Sequence, residues 1–470
     1  MNRRTLILTF FILLCLPKAS ISSNLPDLGS PDLKDYDSQT ETALGKAFST
    51  ALHKYYDLIQ DPIVLSYIRR IGEKIVSETG QNRAFSFNVI NNNEINAFAG
   101  PNGVIGIHTG LINAAKSEDE LASVIAHEIA HVTQRHLSRR FEYQNNTSVA
   151  SIATLIAAIL IGSQDSAAGM ATYLGGMGLS TQEQLKNSRI HEAEADYFGI
   201  QYLQDAGYNP EAMASFFARL SKSAQLYEFK PPEILLTHPV TDNRLAKARA
   251  RASQVKTTHR ALKTDSLRLI QIRLVHLHNN RPDNYQNLTF TPSEICYKQN
   301  LAALYKPNSQ TKTNLSCIEK AIKKHPEQRL YKIMKANILA KEAPEKSEQY
   351  FKYLAEIYPS DFSILYYHAS MLNKNGRASD AASLLTKLTP KFHYQYLLYS
   401  KLARIYANLN QTNKVYYYDA LANYNIGNLK KTQYLINQAI KKTKDKNSKL
   451  YSHLQRIQSE LIENKEETIK

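Results

Sequence analysis

Ser117-Glu-Asp-Glu-Leu-Ala-Ser-Val-Ile-Ala-His127-Glu128-Ile-Ala-His131-Val-Thr-Gln-Arg-His136-Leu-Ser-Arg-Arg140 is the stretch that decides the fold of this chain. Ser117 followed three residues later by Glu120 is a capping box, which satisfies two of the N–H groups that a helix start leaves unpaired. Acidic residues fill the first turn and basic ones the last, a charge order that suits the helix dipole. On such a helix His127 and His131 stand four residues apart. Both imidazoles therefore project from one face, within reach of one metal ion, with Glu128 beside them.

Zinc takes neutral imidazole nitrogens at about 2.0–2.1 Å and in catalytic sites keeps one position open for water. It acidifies that water, and an adjacent carboxylate takes the proton and later delivers it to a leaving amine. Glu128 is the candidate. The next element is His191-Glu-Ala-Glu-Ala-Asp196. Residues 188–206 carry Ile190, Ala193, Tyr197, Ile200 and Leu203 at helical spacing and end at Gly207 before Pro210, which predicts a second helix with those residues as its apolar stripe. Glu192 and Asp196, again four apart, share a face. Glu192 is the candidate third zinc ligand, and Asp196 the acceptor that orients a ligand histidine through its other ring N–H. Glu194 points about 200° away from Glu192 and reads as a solvated charge. His136 and His191 read as surface histidines.

These residues resemble a known family. HEIAH at 127–131 with Glu-Ala-Glu-Ala-Asp at 192–196 is similar to the M48 zinc metalloproteases, whose third ligand is the first Glu of an ExxAD motif. Asn96-Ala-Phe-Ala ahead of a glycine turn, His108-Thr-Gly-Leu, and Thr237-His-Pro-Val-Thr-Asp-Asn-Arg244 match as well. The resemblance implies an α+β zincin-like domain with one zinc per chain. It also places the strand of Asn96, Ala97, Phe98 and Ala99 along the cleft, where an edge strand holds an extended peptide by backbone pairing. A purely structural hairpin is the competing reading. Resemblance to periplasmic members implies that His238 takes the fourth zinc position and keeps the enzyme latent. Alternatively His238 donates to the tetrahedral oxyanion, a role also open to Arg244, for which a structural salt bridge is the other reading.

Around this centre the chain falls into order. Residues 1–22 carry Arg3 and Arg4, an apolar run from Leu6 to Leu16, then small residues, the pattern of a secretory signal. Leu58, Ile63, Leu65, Ile68, Ile71 and Ile75 recur at helical spacing and predict a helical layer over the catalytic helices. From Ala84 the period changes to two, and 95–99 with 104–108 predict a hairpin around Pro101-Asn102-Gly103. Val149 to Ser180 carries Asp165 as its single charge and reads as a buried helix or helical hairpin, or else as a lid or membrane-facing loop at the cleft mouth.

Beyond about 255 the character changes. Residues 251–470 hold 36 Lys+Arg against 17 Asp+Glu, while 1–250 hold 22 against 25. Ala336, Ala369 and Ala403 recur 33 and 34 residues apart, each in the middle of a predicted helix. With Asn375-Gly376 at a turn and Pro326 and Pro359 between units, that spacing fits tetratricopeptide-like repeats. Stacked helix pairs offer a concave surface for proteins. An export signal and the absence of any DNA- or RNA-binding motif argue against nucleic acid as the partner of this basic half. Attraction to acidic protein loops or, as a peripheral membrane contact, to anionic lipid fits better. Cys296 and Cys317 remain after signal removal and are free to pair in an oxidising compartment.

The expected architecture is a signal over 1–22, an M48-type domain over 23–255 and an all-α tetratricopeptide-like solenoid over 256–470. Polypeptides are the expected substrates. The resemblance to periplasmic members extends this to misassembled outer-membrane proteins and a partner in the barrel-assembly machinery. A chaperone or scaffold with latent or secondary proteolysis is the alternative.

Overall fold

The computed structural model describes residues 38–142, 181–226, 232–254, 266–278, 289–306, 310–390, 392 and 396–467. The expected signal, the apolar segment of 149–180 and the domain boundary near 255–265 lie outside them.

Two helices, α1 (Ser38–Tyr55) and α2 (Pro62–Val76), open the described chain. Asp61 caps α2, accepting from the N–H groups of Ile63 and Val64, and Pro62 supplies a preset first helical position. Ile63, Ile68, Ile71 and Ile75 are buried, as their spacing predicts, whereas Leu58 lies outside the helix and bridges Ile90. A small sheet follows: β1 (Ser86–Ile90), β2 (Ala97–Ala99) and β3 (Val104–His108), in the order β1-β3-β2. β2 and β3 form the predicted antiparallel hairpin, with Ala97 opposite Ile107 and Ala99 opposite Ile105, and β1 runs parallel to β3. Gly103 turns the hairpin at φ 71°, where a side chain would be strained.

After the short α3 (Thr109–Ala114) comes α4 (Glu118–Thr133), which carries the HExxH motif and is buried along almost its whole length. Only half of the expected capping box forms. Ser117 Oγ accepts from the Glu120 N–H, but Glu120 accepts from the Lys116 N–H and pairs with Arg219. The helix also ends sooner than the charge pattern suggests. Arg135 turns into the left-handed region at φ 54°, and α5 (His136–Glu142) starts in a new direction.

α6 (Thr181–Asp205) packs along α4. Gly199 makes this approach possible, because a Cβ there would meet the His127 Cα and the Ala126 carbonyl at 3.3 Å. The apolar stripe predicted for this helix holds in its second half, where Ile200 and Leu203 are buried, and is corrected in its first. Ile190 and Tyr197 are about half exposed and Ala193 is exposed, while the buried face carries Glu192, Ala195, Asp196, Gly199 and Leu203. Glu192 and Asp196 occupy the inward face in the first half, so hydrophobic spacing points to the wrong side there. α7 (Glu211–Leu226), α8 (Glu233–Thr237) and α9 (Asp242–Gln254) complete the layer, with Phe216 and Phe217 buried beneath the site.

From α10 (Ser266–His278) onward every element is a helix among the described residues: α11 (Pro292–Tyr305), α12 (Leu315–Lys324), α13 (Arg329–Glu342), α14 (Pro344–Ile357), α15 (Phe362–Lys374), α16 (Ala378–Thr386), α17 (Tyr396–Asn408), α18 (Thr412–Asn425), α19 (Leu429–Lys442) and α20 (Lys449–Glu467). Consecutive helices pack on one another, as in a solenoid. Ala336, Ala369 and Ala403 are buried in α13, α15 and α17, where a small residue lets helices approach. The helical half is not a detached tail. Gln271 on α10 donates to the Ile112 and Ala115 carbonyls, Thr50 donates to the Ile426 carbonyl, and Arg273 on α10 reaches the Asp61 that caps α2.

Cys296 and Cys317 form a disulfide between α11 and α12. In the chain-entropy view a bridge closing 21 residues is worth roughly 3 kcal/mol. Urea unfolding with reductant should show a correspondingly lower midpoint. An unchanged midpoint would mean that the bridge contributes nothing.

Candidate metal centre

α4, α6 and the turn after α8 bring four donors together. His127 and His131 come from α4, Glu192 from α6, and His238 caps the C-terminus of α8. His127 Nε2 lies 3.0 Å from His131 Nε2, 3.4 Å from His238 Nδ1 and 3.3 Å from Glu192 Oε2. Glu192 Oε1 is 2.9 Å from His238 Nδ1 and 3.5 Å from His131 Nε2. A tetrahedral ion with bonds of about 2.0–2.1 Å spaces its donors about 3.3 Å apart, so the set has the dimensions of a zinc site. The chemistry fits as well: three imidazole nitrogens and one carboxylate converge.

The groups behind these donors set their state. His127 Nδ1 lies 3.1 Å from Asp196 Oδ1. A carboxylate only accepts, so Nδ1 carries a proton, and Nε2 is the nitrogen that faces the cluster and would give up its own proton to bind an ion. Burial opposes a charge on His127, but hydrogen bonds to Asp196 and Glu192 overcome it and push its pKa up to about 10. His131 has no carboxylate behind it, and burial drives its pKa well below the ordinary histidine value. Burial works to raise Glu192, yet the neighbouring His238 and His127 hold its carboxyl well below the usual range.

Arg244 fastens the arrangement. Its Nε and Nη2 bond both oxygens of Asp196 at 2.8 Å, and its Nη1 donates to the Pro239 carbonyl at 2.7 Å and lies 2.9 Å from Glu192 Oε2. The guanidinium thus ties α6 to the turn that bears His238. This geometry favours the salt-bridge reading of Arg244 over an oxyanion role.

Glu128 is buried beside the donors. Burial raises its pKa, against the opposing charges of His238 and His127 and the lesser pull of the Ala99 N–H. β2 packs on α4 and so runs beside Glu128, at the outer edge of the sheet. Of the strand residues, Asn96 is buried with its side-chain oxygen accepting from the Ala97 N–H, and Phe98 meets Phe48 and His108 edge-on.

Residues 63–252 match the model of Peptidase family M48. They form an M48 peptidase domain. The chain is 40% identical over 256 residues to the putative beta-barrel assembly-enhancing protease of Vibrio cholerae, covering 53% of this chain and 52% of that one. It is 38% identical over 239 residues to the beta-barrel assembly-enhancing protease of Escherichia coli, 51% and 49% of the two chains. Against the metalloprotease LoiP of Escherichia coli the identity is 30% over 163 residues, 34% and 60%. The match thus spans about half the length of the first two relatives.

The M48 domain holds one group whose placement differs from the expectation above. His136 and His191 are buried, not on the surface, and stack with centroids 4.5 Å apart. Glu194 is not a free solvated charge: it accepts from Arg139 at 2.8 Å and from His136 Nε2 at 3.1 Å. In a continuous helix a residue five after His131 would point about 140° away from it. The break at Arg135 swings it back, and no glycine in the sequence announces that break.

Proposed function

We propose that this chain is an exported zinc endopeptidase in which His127, His131 and Glu192 hold the metal, Glu128 is the general base and Asp196 and Arg244 position the ligands. The convergence of these donors beside one buried carboxylate carries the reading. Zinc held there would supply Lewis acidity toward water and toward a scissile carbonyl. Glu128, with its raised pKa, takes a proton from the attacking water and returns it to the leaving amine. Asp196 fixes the His127 tautomer. An extended substrate would lie along β2, where Ala97–Ala99 present an edge next to Glu128.

The same proposal extends to place and partner. A domain layout of 23–255 and 256–470, export by residues 1–22, misassembled outer-membrane proteins as substrates and a barrel-assembly partner for the helical half are supported by the signal-like N-terminus, the disulfide and the names of the relatives. The latent or scaffolding alternative also has an observation in its favour. His238 Nδ1 stands in the donor set itself, 2.9 Å from Glu192, where it would fill the fourth position. In that role it excludes water until the turn after α8 moves.

His238→Ala is therefore expected to raise casein cleavage about tenfold or more, since removing a closing interaction of only ~1.4 kcal/mol changes the open fraction tenfold. A fall in cleavage with zinc content retained would contradict latency and favour the oxyanion role.

A further inference from the structure

We propose that Glu194 and His136 form a positioning relay that fixes the tautomer and ring orientation of His131, and so its affinity for the metal. This rests on the metal reading above and adds a second set of residues to it. His127 has its carboxylate, Asp196, directly behind it. His131 has none, yet it needs the same service: its Nε2 faces the cluster and must be bare to donate to an ion.

The geometry supplies that service in two steps. His131 Nδ1 lies 2.9 Å from His136 Nδ1, so the two nitrogens share one proton. If that proton sits on His136, His131 must carry its own on Nε2, pointing at His127 Nε2 3.0 Å away, and cannot bind metal. If it sits on His131 Nδ1, Nε2 is free. Glu194 decides between the two. Its Oε2 accepts from His136 Nε2 at 3.1 Å, so the proton of a neutral His136 is on Nε2 and its Nδ1 is the acceptor. Arg139, bound to the same oxygen at 2.8 Å, keeps Glu194 an acceptor.

The surroundings hold this relay in register. His136 is buried and stacked on His191 with the rings 13° from parallel. The backbone adopts φ 54° at Arg135, a conformation unusual for an arginine, in the turn that brings His136 back toward His131. Glu192 and Glu194 thus divide α6 between them: Glu192 joins the donors, and Glu194 acts on His131 through His136.

The test is zinc affinity, measured by chelator competition on the full chain, for wild type, His136→Phe, His136→Gln and Glu194→Ala. His136→Phe keeps a ring against His191 but offers no acceptor, and its affinity should fall about 10- to 100-fold, as loss of an outer-shell partner does. His136→Gln can still accept from Nδ1 and should recover part of that loss. Glu194→Ala, at a partly exposed position, should weaken binding with little change in unfolding midpoint. Nitrogen-15 spectra of the zinc-loaded wild type should show His131 protonated at Nδ1. Wild-type affinity in both His136→Phe and Glu194→Ala, in a protein whose His127→Ala variant has lost zinc, would overturn the relay alone. No zinc in the wild type would overturn the metal reading and the relay with it.

Discussion

Glu128→Gln is expected to retain zinc and to cleave casein about 10²- to 10⁴-fold more slowly than the wild type, the range over which a positioned general base acts. Glutamine matches the shape of the buried side chain, so the packing around β2 should persist. It cannot take a proton from water. None of the four donors is altered, so metal content separates loss of the base from loss of the site. Casein cleavage at wild-type rates would remove Glu128 from the mechanism. A fall in zinc content together with activity would mean that this buried position shapes the site and that its chemical role is untested by this variant.

Arg273→Ala should destabilise the protein by about 3–5 kcal/mol, the cost of stranding one partner of a buried ion pair. Arg273 is almost fully buried, bonds Asp61 Oδ2 at 2.6 Å and donates to the Tyr367 hydroxyl at 2.7 Å. Asp61 uses its other oxygen to cap α2. One residue pair therefore links the start of a catalytic-half helix to α10 and α15 of the helical half. Burial would raise the Asp61 pKa, but the Arg273 charge and the nearby His278 bring it down to about 2. A carboxyl depressed in the folded state stabilises it above the ordinary range, and that contribution is lost as pH falls through the folded value. The stability gap between wild type and Arg273→Ala should thus narrow as pH falls toward ~2, because the buried, unpaired Asp61 of the variant takes up its proton before that of the wild type. Urea midpoints of the two proteins across that window measure it. A gap that stays constant would show that the pair carries no such charge coupling.

How much of this was legible in the sequence depends on how local the determinant is. HExxH and the Glu192/Asp196 spacing are helix-face arithmetic, and the structure brings His127, His131, Glu192 and Asp196 together as that arithmetic requires. The hairpin announced itself through a change of period and a Pro-Asn-Gly turn, and the helical half through buried alanines at regular spacing. Apolar spacing marks the inward face of α6 only in its second half, at Ile200 and Leu203, because Glu192 and Asp196 fill the first. His136 was misjudged because its position depends on a left-handed Arg135, a residue type that gives no signal for that conformation. Glu194 followed from that error, since its partners exist only once His136 and Arg139 fold back. Nor does sequence spacing carry the pairing of Arg273 with Asp61, 212 residues apart.

The most direct test of the central claim is the metal content of the purified chain beside that of His127→Ala. One zinc per chain in the wild type, lost in the variant while its helical content is unchanged, is the predicted result. A well-folded wild type without zinc, or equal zinc in both proteins, would contradict it.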